Sequence, residues 1–362
     1  MNEIVHQLDP SPSSPRSSEG SFVSLRDGRV LFAYSRFTGG GKDDSAADVA
    51  IIGSEDGGRS FSAQAATLIP NPGRMNAMSV SLLRLHDGRV ALFYLVKNSF
   101  HDCRPRMSIS QDECSTWSEP VLCIPAPGYF VVNNDRVVQL KSGRLVVPAA
   151  YHRARAEDPS AGETFDSRAI AMWFLSDDGG DTWRESKSWW ALAVPSRSGL
   201  QEPGVMERKD GTLFSWCRTD VGYQYGMASR DGGETWSSPK PTDFVSPCSP
   251  LSMRRIPDDA PVGAGNLLAV WNDISGRFRL PRPAKESWGR TPLVSAISSD
   301  DGATWTQHRI IEGDPERGYC YTAIHFVDDA VLLAYCAGGK PTGSVLNTLR
   351  IRRVSVEWFC HR

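Results

Sequence analysis

Short apolar runs broken by glycine-centred turns recur along the whole chain. SLRDGRVLFAY, RLHDGRVALFYL, QLKSGRLVVPAA, ERKDGTLFSWC and GAGNLLAVW each set a turn between two runs rich in β-branched and aromatic residues, and HFVDDAVLLAYC follows nearer the C-terminus. Asp-Gly and Ser-Gly supply the positive φ of a tight turn between antiparallel strands, so each segment predicts a hairpin. No stretch carries the i, i+3, i+4 stripe of an amphipathic helix, and the 32 glycines and 24 prolines are spread evenly. That pattern predicts a chain that is nearly all β.

A second repeat runs in phase with the first. SEDGGRSF (54–61), SQDECSTW (110–117), SDDGGDTW (176–183), SRDGGETW (229–236) and SSDDGATW (298–305) fit one template, S-x-D-x-G-x-[ST]-[WF]. Their first serines are 56, 66, 53 and 69 residues apart, too irregular for a solenoid of fixed rise but suited to four-stranded units with variable loops. Six hairpins therefore predict a single all-β domain over 1–362, a six-bladed β-propeller with Asp-box repeats. The blades fall near 20–61, 75–117, 130–183, 200–236, 248–305 and 319–358. The sixth shows three strands, so the N-terminal EIVHQL is expected to supply its fourth and close the ring. The box itself reads as structural: its Asp and Ser/Thr satisfy backbone N–H groups, its Gly admits positive φ, and its Trp fills the gap between sheets.

Charge and cysteine usage narrow the chemistry. Forty basic and forty-two acidic side chains leave a net charge of −2, so no whole-molecule field is available to hold nucleic acid. No segment has the apolar core of a signal peptide or the length of a membrane span, which predicts a cytoplasmic chain. The eight cysteines form no CxxC pair and are expected to be reduced and buried. The seven histidines show no HxH or HExxH spacing, so neither a metal nor another cofactor is expected.

In a propeller, inner strands converge on the axis, and polar residues at their ends are the candidates for chemistry. They are Arg36 with Asp43, Asp44 and Asp48; Asn76 in MNAMSV, whose Met75 and Met78 read as packing; Asn133 to Arg136, including Asp135; Glu202 with Arg218; Arg290; and Tyr319 with Tyr321. Taken singly, each also fits a surface ion pair, a turn or a core aromatic. Their co-occurrence in matching segments favours a site.

Those segments, with the boxes, resemble the sialidase (neuraminidase) superfamily over nearly the whole chain. QEPGVMERKDGTLFSWCR resembles the family's glutamate followed one hairpin later by an arginine, giving Glu202 and Arg218. SWGRTPLVSAIS resembles the segment of another triad arginine, Arg290, and GYCYTAIHF the segment of the catalytic tyrosine, Tyr321. GRLVVPAAYHR resembles the third-blade hairpin, with the tyrosines expected there displaced to Tyr151 and, as a further candidate, His152. The resemblance implies a retaining exo-glycosidase in which Tyr321, polarised by Glu202, is the nucleophile. A neutral hydroxyl there avoids repulsion by a substrate carboxylate on the anomeric carbon. Asp44, chosen over Asp43, would be the acid/base, Arg218 and Arg290 would hold the carboxylate, and Arg36 would reach a ring hydroxyl or the carboxylate.

One position departs from the family. Where an arginine is expected before the first hairpin, the chain reads RSSEGSF, with Glu19. Either Arg16 replaces that guanidinium from nearby, or the sugar is not a standard sialoside. Three readings follow: hydrolysis of a terminal acidic sugar with sialic acid foremost, hydrolysis of another uronate-like or modified sugar, and a non-catalytic glycan-binding propeller.

Overall fold

Each predicted turn does the local work expected of it. Gly28, Gly88, Gly143 and Gly211 have φ between 82° and 93°, a conformation other residues rarely adopt, and each closes an antiparallel hairpin. The computed structural model describes residues 1–155, 157–158 and 165–360. It is nearly all β, with 48% strand and 4% helix.

Twenty-five strands are defined among the described residues. After β1 (Asn2–Leu8) they come in antiparallel groups. The first is β2 (Arg16–Ser24), β3 (Val30–Phe37), β4 (Ala47–Ser54) and β5 (Ala66–Ile69); the second is β6 (Asn76–Arg84), β7 (Val90–Ser99), β8 (Asp102–Ser110) and β9 (Val121–Leu122). Next come β10 (Tyr129–Val131), β11 (Val138–Gln139), β12 (Leu145–His152), β13 (Ile170–Ser176) and β14 (Arg184–Glu185), where β10 and β11 both pair with β12. Two four-stranded sheets follow: β15 (Gln201–Glu207), β16 (Leu213–Arg218), β17 (Tyr223–Ser229), β18 (Lys240–Val245); and β19 (Ser252–Arg255), β20 (Leu267–Asn272), β21 (Leu293–Ser298), β22 (Thr306–Glu312). The last is β23 (Cys320–Val327), β24 (Ala330–Cys336) and β25 (Leu349–Ser355), onto which β1 pairs antiparallel. A single turn of helix, α1 (Val356–Cys360), ends the described chain. The first three groups are joined by single parallel pairs, Ala47 with Asn76 and Tyr129 with Cys103.

The boxes lie where the third strand of a group turns to the fourth, so the groups extend past them, beyond the boundaries expected from sequence. In one box Ser176 Oγ donates to Asp178 Oδ1 (2.8 Å), which also accepts from Thr182 N (2.9 Å), while Thr182 Oγ1 donates to Asp178 Oδ2 (2.5 Å). Thr182 and Ser176 thereby hold the Asp178 carboxyl at about 2. The same bonds recur at Asp56, Asp112, Asp231 and Asp300. In the second copy, Cys114 takes the glycine's place at φ 69°, still donating its N–H to Ser110 Oγ (2.8 Å). The box tryptophans fill gaps between groups: Trp236 stacks on Trp173 with centroids 4.3 Å apart, worth about 1 kcal/mol beyond burial.

Apolar clusters join neighbouring groups face to face. Trp173 and Leu175 pack with Leu213 and Trp236, Trp216 with Leu267 and Trp271, and Val270 with Leu333. Phe22 and Phe32 of the first group share a cluster with Leu332 and Ile351 of the last. All eight cysteines are unpaired. No helix among the described residues is long and apolar enough to cross a membrane.

Candidate functional site

A backbone irregularity on the first strand of several groups builds the site. Glu19, Ser79, Glu202 and Tyr321 are non-glycine residues with φ of 49° to 60°, and the pairing register slips at each, between Ser18 and Ser21, Met78 and Ser81, Gln201 and Gly204, and Cys320 and Ala323. A left-handed residue at a bulge breaks the alternation of faces and re-aims its side chain. All four line one cavity of about 410 Å³.

Tyr321 and Glu202 meet there although 119 positions apart: Tyr321 Oη donates to Glu202 Oε1 at 3.2 Å. Arg218 Nη1 donates to Tyr321 Oη at 3.2 Å and lies 3.1 Å from Glu202 Oε2. Burial foremost, and then Glu202, push the Tyr321 phenol well above its usual pKa against the pull of Arg218 and Arg290, so the resting hydroxyl is protonated. Tyr319 is fully buried, packs on Tyr335 and does not line the cavity.

Another part of the wall comes from the loop after β3. Asp43 and Asp44 both line the cavity and both are exposed at its mouth. Asp43 Oδ1 accepts from Arg16 Nη1 (2.5 Å), and its carbonyl accepts from Asn76 Nδ2 (2.8 Å) and Lys97 Nζ (2.6 Å). Crowding by protein opposes its ionisation, but Arg16 and Lys97 hold its carboxyl below the usual range. Asn76, fully buried, therefore anchors this loop and is not a lining residue.

Glu19 is 5% exposed, receives Ser79 Oγ at 3.5 Å and lies 3.6 Å from Arg16 Nη2. Burial, reinforced by Asp43 and Glu202 and only partly offset by Arg16, raises its pKa to about 7. Arg16 is 1% exposed, sits 4.1 Å over the Phe37 ring and is not a lining residue.

Several expected positions lie elsewhere. Arg36 does not line the cavity: its guanidinium is taken by Asp48 (3.0 and 2.6 Å) and Thr67 (2.7 Å) across β3, β4 and β5. Asp135, also left-handed, faces a different cavity, where Ser21 Oγ (2.9 Å), Ile324 N (3.1 Å) and Arg254 (2.7 Å) hold it. Tyr151 packs on Phe130, centroids 5.0 Å apart, because alternation along β12 gives the cavity to its neighbour His152. Arg290 stands behind the tyrosine, 5.6 Å from the Tyr321 ring, donating to Cys320 Sγ (3.0 Å) and Cys248 O (3.1 Å), so it braces Tyr321 without lining the cavity.

Gln201, Lys97, Phe100, Tyr129 and Phe165 also line the cavity and escaped the sequence reading, which named His152 only beside Tyr151. Gln201 Oε1 accepts both Nε (2.9 Å) and Nη2 (2.7 Å) of Arg218 and fixes that guanidinium. Lys97, 3% exposed, brings a second cation, its Nζ 5.4 Å from the Tyr129 ring; its one sequence signal is a charge ending the apolar run VALFYLVK. Phe100, Tyr129, Phe165 and His152 form an aromatic wall, with Tyr129 and Phe165 4.9 Å apart and His152 stacked at 4.6 Å. Burial drops the His152 pKa to about 4, so its ring is neutral; Nδ1–H donates to Asp166 O (2.9 Å), leaving Nε2 as an acceptor. Met78, read as packing, also lines the cavity.

Comparison with known proteins agrees with this architecture. The BNR repeat-like domain matches residues 28–333. Among solved structures, a protein of unknown function from Dyadobacter fermentans superposes with a TM-score of 0.71 at 16% identity, covering 98% of this chain and 99% of that one. A Hadza microbial sialidase gives 0.72 at 17%, over 96% of this chain and 67% of that one. The intramolecular trans-sialidase from Ruminococcus gnavus, in complex with oseltamivir carboxylate, gives 0.69 at 16%, over 98% and 97%. No curated protein sequence matches the chain. The chain thus belongs to the BNR repeat-like domain family and carries the fold of the sialidases.

Proposed function

We propose that this protein is a retaining exo-glycosidase that removes a terminal acidic sugar, sialic acid foremost, and that its strand groups are the six blades of one propeller, with β1 completing the last. The apolar clusters that link each group to the next, and the last to the first, support the ring. The observation that carries the activity is the convergence of Tyr321 Oη, Glu202 and Arg218 within 3.2 Å on the cavity wall.

In this mechanism Glu202 accepts the Tyr321 proton as the phenolic oxygen attacks the anomeric carbon, and Arg218 stabilises the charge that develops. Asp44 protonates the leaving oxygen and then activates water. Asp43, ion-paired to Arg16 and so held ionised, has no proton to donate to the leaving oxygen, which favours Asp44. Arg218 and Lys97 are the cations that line the cavity and would meet the substrate carboxylate. Glu19, neutral below about 7, donates a hydrogen bond to the sugar instead of repelling it.

That buried carboxyl also favours a second reading, a modified or uronate-like sugar whose hydroxyl pairs with Glu19. A panel of 4-methylumbelliferyl glycosides decides between them: release from the sialoside supports the first, release from a uronide alone the second, and silence across the panel overturns both. Within whichever substrate responds, Tyr321→Phe should lower kcat by about three orders of magnitude with the fold unchanged by circular dichroism, since it removes one hydroxyl. Near-normal turnover would remove Tyr321 from the chemistry.

A further inference from the structure

Residues 133–136 run between two cavities. Asn133 lines the first, Asn134 donates to the carbonyls of Gly20 (2.8 Å) and Tyr321 (3.1 Å), and Asp135 and Arg136 line a second cavity of about 170 Å³. Arg254, Arg255, Trp216 and Met253 also border this second space.

Arg136 is 4% exposed, its guanidinium 5.6 Å from the Trp216 ring centroid. Its Nη2 donates to Leu251 O (2.6 Å), while its buried Nε meets no acceptor among the described residues. No carboxylate among those residues lies within ion-pair distance of it, although Glu202 and Asp135 act on it from farther away. Asp135 pairs with Arg254 (2.7 Å), Asp301 with Arg255, and Glu207 accepts Lys141 N (2.7 Å). Burial lowers the Arg136 pKa to about 10, which still leaves the group charged at neutral pH. A buried guanidinium with an unmet N–H and no directly paired carboxylate is unfavourable, and an anion entering the cavity would complete it.

We propose that the second cavity binds a small oxyanion, a phosphate or an organic carboxylate, through Arg136 with the more exposed Arg254 as second donor. This site is separate from the glycosidase reading and does not depend on it. Thermal denaturation in inorganic phosphate against chloride at matched ionic strength tests it, with malonate titrated in parallel to separate the two sources; a response to either supports the site. The wild-type Tm should rise saturably with the anion, R136M should lose that response, and R218M, altered in the first cavity, should keep it. Without anion, R136M should melt no lower than wild type, since Met fills similar space without a buried charge. Should R136M fail to fold, R254Q decides: the anion Kd should weaken about tenfold or more. A wild-type Tm indifferent to both anions, a response kept in R136M but lost in R218M, or an unchanged Kd in R254Q would overturn the proposal.

Discussion

At the scale of single residues, Glu19 couples the cavity to pH. Its folded pKa of about 7 lies above the ordinary 4.5, so between those values the native state holds a proton that the unfolded chain has released. Stability should therefore fall as pH rises from about 4.5 to about 7 and level off beyond, by on the order of 3 kcal/mol from this group. Glu19→Gln should flatten that segment of a Tm-against-pH curve and melt above wild type at pH 8; parallel curves would mean that Glu19 ionises freely. Asp44 invites a different measurement. If it is the general acid, Asp44→Asn should cut turnover of a natural glycoside by about 10²- to 10⁴-fold, and turnover of a 4-methylumbelliferyl glycoside, whose leaving group needs little protonation, far less. Equal losses on both substrates would assign it another role.

At the scale of elements, the bulged first strands explain what could be read in advance. Hairpins and boxes were legible because each is a local pattern whose Gly, Asp and Ser/Thr act within a few residues, and five box copies reinforce one another. Glu202, Arg218 and Tyr321 were legible through their surrounding segments. Gln201 and Lys97 were not: Gln201 and Glu202 are adjacent, and both line one cavity only because Glu202 has φ 49°, which strand alternation does not announce. Arg36 failed for the converse reason, since its cross-strand partner Asp48 satisfies it away from the cavity. The bulge at Glu19 also depends on its neighbour. A Cβ on Gly20 would come within 2.2 Å of Phe32 Cζ and 2.6 Å of Ala33 O. Gly20→Ala should thus cost about 1–3 kcal/mol in chemical denaturation, with a larger proportional loss of any activity that needs Glu19. A stability within 0.5 kcal/mol of wild type would show that β2 can shift at no cost.

At the scale of the whole molecule, the two ends of the chain are joined by β1 and β25, paired from Asn2 with Val354 to Leu8 with Leu349, and Arg352 Nη1 donates to Asn2 Oδ1 at 2.6 Å. Deleting residues 2–8 would bare the backbone edge of β25, so the truncated protein should melt several degrees lower and aggregate faster by light scattering. An unchanged Tm would make β1 dispensable. The left-handed bulges carry a wider consequence. Because the main chain aims these positions and the strand groups behind them hold the main chain, the residue in each place is a replaceable tool in a fixed handle. Two glutamates, a serine and a tyrosine already occupy four such handles within this one chain. A lineage built on this frame can change its reaction one side chain at a time without first inventing a new scaffold.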